Sequence, residues 1–314
     1  MNLRPANKEE VAGVLRAAHE RQARLGTLDL NQMNRVLEHT PEDMTVTVEA
    51  GCPLAVLQTQ LATRGQWLPL DPPQADALSV ADVISRNWSG PRRFGFGTVR
   101  DHLIGVQVAL ADGRLIRSGG KVVKNVAGFD VMKLFVGAQD SLGIVVEATF
   151  KLLPKPETEH FVRIRCATLE EANGALDRVM ESPITPSVLD LHNDAAEGEG
   201  FSVVLGFSGS YAEVDWQLER AGALGFGEST TLDHDRRFWA AVTTAPHRRF
   251  VLPGALIDCL RELGEASFVA RAGNGAVYHR GGPAPPKPQL PTALIQRVKD
   301  TYDPHHILPP PPAL

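Results

Sequence analysis

The sequence predicts an α+β protein in two parts. Segments with helix-start signals alternate with short stretches of period-two hydrophobicity along nearly the whole chain. Such alternation is the pattern of sheets covered by helices, and a run of it beyond Pro156 reads as one antiparallel sheet. The chain has 314 residues, more than the ~250–300 at which single cores stop growing. Its character also changes at the proline-bracketed segment Pro154–Pro156.

Asn7 and Glu10 read as a capping-box pair opening a helix with Val11, Val14, Leu15 and Ala18 on its apolar face. LDL (Leu28–Leu30) precedes MTVTVEAG (Met44–Gly51), a strand by its alternation. Pro53 suits the first turn of a second helix, with Leu54, Leu57 and Leu61 on one side and Gly65 as the stop. This first small α+β unit ends near Leu70. In the next, LIGVQVALA (Leu103–Ala111) meets LIRSG (Leu115–Gly119) across Asp112-Gly113, a hairpin signal. Asp130 is placed to cap a short helix, VMKLFV, ended by Gly137. In Gly143–Pro154, residues Ile144, Val146, Ala148, Phe150 and Leu152 share one face of a strand.

Beyond Pro156, strands are expected at His160–Ala167, VLDLH, Phe201–Phe207, SFVARA and GAVYHR. Helices follow Thr168 with Glu171 and Ser210 with Glu213, both capping boxes, and an apolar helix spans about Gly254–Leu263. PAPPKPQLP (Pro283–Pro291) is an extended connector to a last helix, TALIQRVKDTY. The expected domains are therefore 1–156, as two α+β subdomains split near 70–78, then 157–282, then a connector, helix and tail at 283–314.

Composition excludes several classes. The net charge of −5 argues against a nucleic-acid binder, which is usually strongly basic. Cys52, Cys166 and Cys259 are far apart and odd in number, so neither a disulfide framework nor a zinc site is indicated. No stretch approaches the ~18 apolar residues of a membrane span, and the N-terminus lacks a signal-peptide core. A cytoplasmic protein is expected, at most peripheral to a membrane complex.

Several motifs succeed one another in a specific order: TVTVEAG, LPLDPP, NWSGPRRFGFGTVRD, LADG, GGKVVKNVAGFDVMKLFVG and SLGIVVEATFKLLPKPE. In this order they resemble the PCMH-type FAD-binding domain of vanillyl-alcohol-oxidase-type flavoproteins. Within that group the closest likeness is to FAD-binding subunits of glycolate oxidase and related 2-hydroxyacid dehydrogenases. The ending VKDTYDPHHILPP is similar to that group's C-terminal helix and the segment after it. The resemblance implies a two-subdomain FAD-binding fold followed by an α+β cap domain with an antiparallel sheet.

It also implies a site. A diphosphate is held by backbone N–H groups in loops where glycine allows close approach. The resemblance places such a loop at Ser79, Asn87, Ser89 and Gly90, with Gly97 and Asp101 shaping the turn behind it and Asp71 upstream. Gly143, Ile144 and Val145 resemble the stretch beside the flavin ring. Lys124, Asn125, Gly128 and Asp130 resemble a glycolate-oxidase signature. Arg92 and Arg93 either carry ordinary surface charge or salt bridges, or bring one guanidinium to the flavin phosphate or a carboxylate substrate, a role suited to its planar fork.

Three departures bear on that site. The connection Glu20–Thr27 has no room for the strand and Gly-rich loop that relatives place there, so a first pyrophosphate loop is missing. Covalent flavin is therefore not expected. Asp82 stands in Ser79–Asp82 where relatives have glycine, and Asp140 replaces a further glycine. A carboxylate near a phosphate is repelled, and such changes cost ~1–3 kcal/mol each, so the binding of noncovalent FAD is expected to be weakened.

The implied function is oxidation of a small 2-hydroxy acid by hydride transfer to FAD. Electrons would pass to a partner, within an assembly holding a catalytic flavoprotein subunit and an iron–sulfur subunit, without nucleic acid or direct membrane insertion. The alternative is a flavin-free scaffold subunit of the same fold. No catalytic residue is assigned. AGNGAVYH (Ala272–His279) reads mainly as a hairpin, with Asn274 or His279 as candidates to face the flavin. His305 and His306 are not expected to share a metal.

Overall fold

The computed structural model describes residues 3–120, 130–241, 245–286 and 290–312. The chain divides into two compact units. The first contains Met1–Ser89, Thr98–Lys155 and Lys287–Leu314; the second contains Gly90–Gly97 and Pro156–Pro286.

In the first unit, helix α1 (Lys8–Glu20) starts as the sequence predicts, Asn7 Oδ1 accepting the Glu10 N–H at 2.9 Å. Strands β1 (Val36–Thr40) and β2 (Thr45–Glu49) precede α2 (Leu54–Ala62) and β3 (Gln66–Trp67). Next come α3 (Val80–Arg86), the short α4 (Arg93–Phe96) that belongs to the second unit, and α5 (Val99–His102). Strands β4 (Leu103–Ala109), β5 (Leu115–Gly119), β6 (Ile144–Lys151) and β7 (Leu153–Pro154) complete the set. Five strands form one antiparallel sheet in the order β1-β2-β6-β4-β5. Strands on both sides of residues 70–78 thus share a single sheet. The β4–β5 connection is the Asp-Gly turn: Asp112 Oδ1 accepts the Arg114 N–H at 3.0 Å, and Gly113 takes a φ of 80°.

One sheet face carries the larger core, with Leu57 and Leu61 of α2, Val83 and Ile84 of α3, Val48, Val108 and Phe150. The other carries a smaller core in which Val11 and Leu15 of α1 meet Ile144, Val146, Ile307 and Leu308. Here the period-two reading of β6 needs correction. Val145 pairs with Val108 but Glu147 pairs with Gln107, leaving Val146 as a bulge. A bulge shifts the face of every later residue in its strand. Ile144 and Val146 therefore go to one core while Ala148, Phe150 and Leu152 go to the other. Asp130 is a second correction. Its side chain makes no cap bond, and Ser118 Oγ accepts the Met132 N–H at 3.1 Å instead.

The second unit is a seven-stranded antiparallel sheet. Its elements are β8 (Thr158–Cys166), α6 (Leu169–Met180), β9 (Val188–His192), β10 (Phe201–Gly209) and α7 (Tyr211–Ala223). They continue with β11 (Glu228–Thr230), α8 (Asp233–Ala240), β12 (His247–Phe250), α9 (Leu256–Leu263), β13 (Ser267–Arg271) and β14 (Ala276–Arg280), in sheet order β11-β8-β10-β9-β13-β14-β12. Helices α6, α7 and α9 bury Leu176, Val214 and Leu260 against Leu189, Leu191 and Leu205. Alternate residues of β9 and β13 build a polar assembly: Arg271 donates to Asp190 at 2.5 Å and to Asp235, and His234 lies 3.1 Å from Asp190. Burial opposes the charge on Arg271, but the two carboxylates outweigh it and raise its pKa. His192 stacks on His234 at 4.2 Å and is pushed down to about 2, by burial first and then by His234.

The last helix, α10 (Thr292–Tyr302), returns the chain to the first unit. Lys299 is 1% exposed and donates to Asp303 Oδ2 at 2.5 Å and to the Ser141 carbonyl at 2.9 Å, with Leu308 and Pro309 carbonyls also in reach. Asp303 in turn accepts the N–H groups of Ile307 and Leu308. Removing one partner of a buried pair leaves the other charge uncompensated, typically at ~3–5 kcal/mol. Lys299→Met is therefore expected to lower unfolding free energy by about that amount. Urea denaturation of wild type and variant checks it, and a loss under ~1 kcal/mol, the value of a surface pair, refutes it.

Candidate functional site

Helix α3 organises the loop that the sequence singles out. Val80, Val83 and Ile84 are buried, and Ser79 is its N-cap. The Ser79 hydroxyl accepts the Asp82 N–H at 3.2 Å, while Ser79 N–H and O–H both donate to Asp82 Oδ2, at 3.0 and 2.6 Å. Asp82 is thus the returning half of a capping box. Both donors of Ser79 are spent inside the helix turn, and Arg86 lies 3.7 Å from Asp82.

The other end of α3 is shaped by Asn87, an exposed C-cap in the left-handed region with φ 51°. Two residues on, the Ser89 hydroxyl is buried and has no hydrogen-bond partner. The facing loop passes through Gln139 and Asp140, both at positive φ, and Gln139 N–H donates to the Ser85 carbonyl at 2.9 Å. Asp140 is pushed up to about 6, by burial first and then by Asp82, with Arg86 pulling the other way.

The remaining predicted residues occupy different settings. Ile144 and Val145 are buried in the sheet, and a Cβ on Gly143 would come within 2.7 Å of Val108. This glycine is required by the approach of β4. Asp101 caps α5, and burial pushes its carboxyl up, but donation by the Thr98 N–H and O–H outweighs this and holds it low. Asp71 is half-buried in the segment after Leu70. Gly90, Arg92 and Gly97 belong to the second unit. There Arg92 Nε donates to Glu159 at 2.8 Å in a two-point pair, and Gly97, at φ 85°, ends α4. Lys124, Asn125 and Gly128 lie outside the described residues.

A cavity of about 470 Å³ opens over the polar face of the first unit's sheet, with Lys8, Arg35, Glu49, Gln107, Arg117 and Glu147 among its lining. None of the predicted site residues lines it. Its cations are paired: Lys8 with Glu147 at 2.6 Å, Arg35 with Glu49 at 2.7 Å, Arg117 with Glu147 at 3.9 Å. Among the described residues no group of three or more His, Cys, Asp or Glu converges as metal ligands. His305 packs on His19 at 4.4 Å, and His306 lies 3.3 Å from Asp300. His279 sits in β14, its Nδ1 2.8 Å from the Gly281 carbonyl.

The loop fits an oxyanion at one point and not at another. The buried, unpartnered Ser89 hydroxyl is a donor of the chemistry a phosphate oxygen satisfies. Ser79 has no donor left to offer. Between α1 and Leu28, which forms a parallel bridge with Leu3, the chain has neither a strand nor a Gly-rich loop.

Residues 24–119 match a family model described as an FAD binding domain. The chain is 36% identical over 158 residues to the glycolate oxidase subunit GlcD of Bacillus subtilis, covering 50% of this chain and 34% of that protein. It is 32% identical over 170 residues to glycolate oxidase subunit GlcE of Escherichia coli, covering 54% and 48%. It is 26% identical over 269 residues to a D-lactate dehydrogenase of Archaeoglobus fulgidus, covering 74% and 60%. The chain therefore spans less than two thirds of each relative's length. A solved alkyldihydroxyacetonephosphate synthase superposes with TM-score 0.75 over 97% of this chain and 76% of that one at 15% identity, a likeness of fold.

Asp140 makes a pH prediction. Its folded-state value, about 6 against an ordinary 3.8, means the native state holds this proton more tightly than the unfolded chain does. That contribution to stability is complete below the ordinary value and is lost as pH rises through about 6. At about pH 8 Asp140→Asn is expected to exceed wild type in stability by up to ~3 kcal/mol, a gain that shrinks toward about pH 4. Denaturant unfolding of both proteins across this range tests it, and a pH-independent difference sinks it.

Proposed function

We propose that this chain, a member of the PCMH-type FAD-binding family that includes the glycolate oxidase and D-lactate dehydrogenase relatives, is the flavin-carrying subunit of a 2-hydroxyacid dehydrogenase. FAD is held without a covalent bond, and electrons leave to a partner subunit, a second flavoprotein or an iron–sulfur protein. The observation that carries the reading is the Ser89 hydroxyl, buried without a partner inside the segment that matches the FAD binding domain.

The residues divide the work. Ser89 donates to a phosphate oxygen, and the main chain from Asn87 to Gly90 turns toward it. Asp82 and Ser79 hold the start of α3 in shape by their reciprocal bonds and contribute no donor to the ligand. Ile144 and Val145, buried in the sheet, supply a fixed backbone beside the ring. Bound there, the isoalloxazine supplies the two-electron acceptor needed when a 2-hydroxy acid becomes a 2-oxo acid. With one phosphate-facing side and two neighbouring carboxylates, affinity is set by few contacts, and each one counts.

Titration of the purified chain with FAD, followed by flavin fluorescence, is expected to saturate. Ser89→Ala removes one hydrogen bond to a charged group and is expected to weaken binding roughly 10- to 100-fold. Absence of saturation by wild type would leave a flavin-free subunit. Unchanged affinity in Ser89→Ala would remove Ser89 from the site.

A further inference from the structure

A cavity of about 460 Å³ lies wholly within the second unit. None of the residues assigned above to FAD lines it. Its walls are mostly apolar, with Phe94 and Phe96 of α4, Met180 at the end of α6 and Ile184 in the loop that follows. The hydroxyls of Ser187 and Ser208 stand together in it, 3.0 Å apart. Apolar walls around a few polar atoms, at this volume, are the make-up of a small-molecule site.

The two hydroxyls belong to a line of oxygens that is one proton short. Ser187 Oγ lies 3.1 Å from the Gly206 carbonyl and 3.0 Å from Ser208 Oγ, and Ser208 Oγ lies 2.7 Å from Glu159 Oε1. Glu159 is ion-paired at two points with Arg92, so both ends of the line only accept. Three contacts thus share two hydroxyl protons. Whichever way the hydroxyls turn, one contact sets oxygen against oxygen with no hydrogen between them. Ser187 is also pinned through its backbone. Its N–H donates to the same Gly206 carbonyl at 2.7 Å, and its own carbonyl accepts the Gly95 N–H at 3.0 Å. The approach of Gly95 is so close that a Cβ there would come within 2.6 Å of Ser187 Cα. A group entering the cavity therefore meets fixed oxygen lone pairs.

We propose that this cavity binds a small aromatic molecule carrying an O–H or N–H, a phenol or an indole, with its ring against the apolar walls and its donor on the serine pair. The chemistry selects this class. Phe94 and Phe96 offer rings to pack against, and Met180 offers a polarizable sulfur that packs well on aromatics. The missing proton selects a donor over an acceptor.

Calorimetric titration of the full chain with phenol, indole and anisole tests the proposal. Anisole keeps the ring but carries an acceptor oxygen in place of the donor. Wild type is expected to bind phenol and indole saturably, and phenol roughly 10-fold more tightly than anisole. Ser208→Ala leaves one contact for one proton, between Ser187 and Gly206, and is expected to reduce that preference to about twofold or less. Ser187→Ala leaves one contact for one proton, between Ser208 and Glu159, and is expected to do the same; it decides the matter if Ser208→Ala fails to fold. Met180→Glu, at a position 62% exposed, sets a charge beside the apolar wall and is expected to weaken phenol and anisole alike, roughly 10-fold. Failure of phenol and indole to saturate wild type, anisole binding as tightly as phenol, or a preference for phenol that survives in both serine variants overturns the proposal.

Discussion

The buried pair of Lys299 and Asp303 is the constraint on which the first unit depends. One ammonium reaches the Ser141 carbonyl, two carbonyls of the chain end and a carboxylate, and that carboxylate collects two further N–H groups. A charge removed from water needs such full coordination to be tolerated. Two things are fixed in consequence. Ile307 and Leu308 are delivered into the core beneath α1, and the loop ending at Ser141 is clamped just before the chain enters β6 through Gly143. The tight positive-φ passage at Gln139 and Asp140 is held between that clamp and the α3 carbonyls of Ile84 and Ser85.

Local bonding accounts for one of the two acidic residues in this region. Asp82 is retained by local bonding: its carboxylate closes the capping box of α3, worth on the order of 1 kcal/mol, and Arg86 lies near enough to offset part of its charge. Asp140 closes no such box; it is buried near Asp82, and Arg86 offsets only part of the resulting penalty. For the proposed diphosphate contact, the unpartnered Ser89 hydroxyl argues in favour and the carboxylates of Asp82 and Asp140 argue against. With no Gly-rich loop between Glu20 and Leu28, the cofactor's affinity depends on which of these two influences prevails.

Much of this was legible in the chain. Asn7, Thr168 and Ser210 open helices as their capping partners require, and Asp112-Gly113 makes the hairpin. The ordered motifs pointed to an FAD-binding fold that the comparisons bear out. What escaped was long-range. Period-two reading of β6 cannot register a bulge, because the bulge at Val146 is defined by the partner strand. Short elements such as β11, α8 and β12 lack enough periods to be seen. Ser79 and Asp82 carried a capping signal in their spacing that a charge argument alone obscured. The commitment of Arg92 to Glu159, 67 residues away, has no local signature.

The second unit sharpens what an unpaired group means. Its sheet already buries one cation, Arg271, 1% exposed between Asp190 and Asp235. That assembly shows the ordinary solution: a buried guanidinium is matched by carboxylates from neighbouring elements, and its charge persists because their attraction exceeds the penalty of burial. Half-buried Arg93 differs: it has no carboxylate partner among the described residues, and its short helix is tied to the residue before β9 by the Gly95–Ser187 bond and to the β13–β14 turn by Phe94.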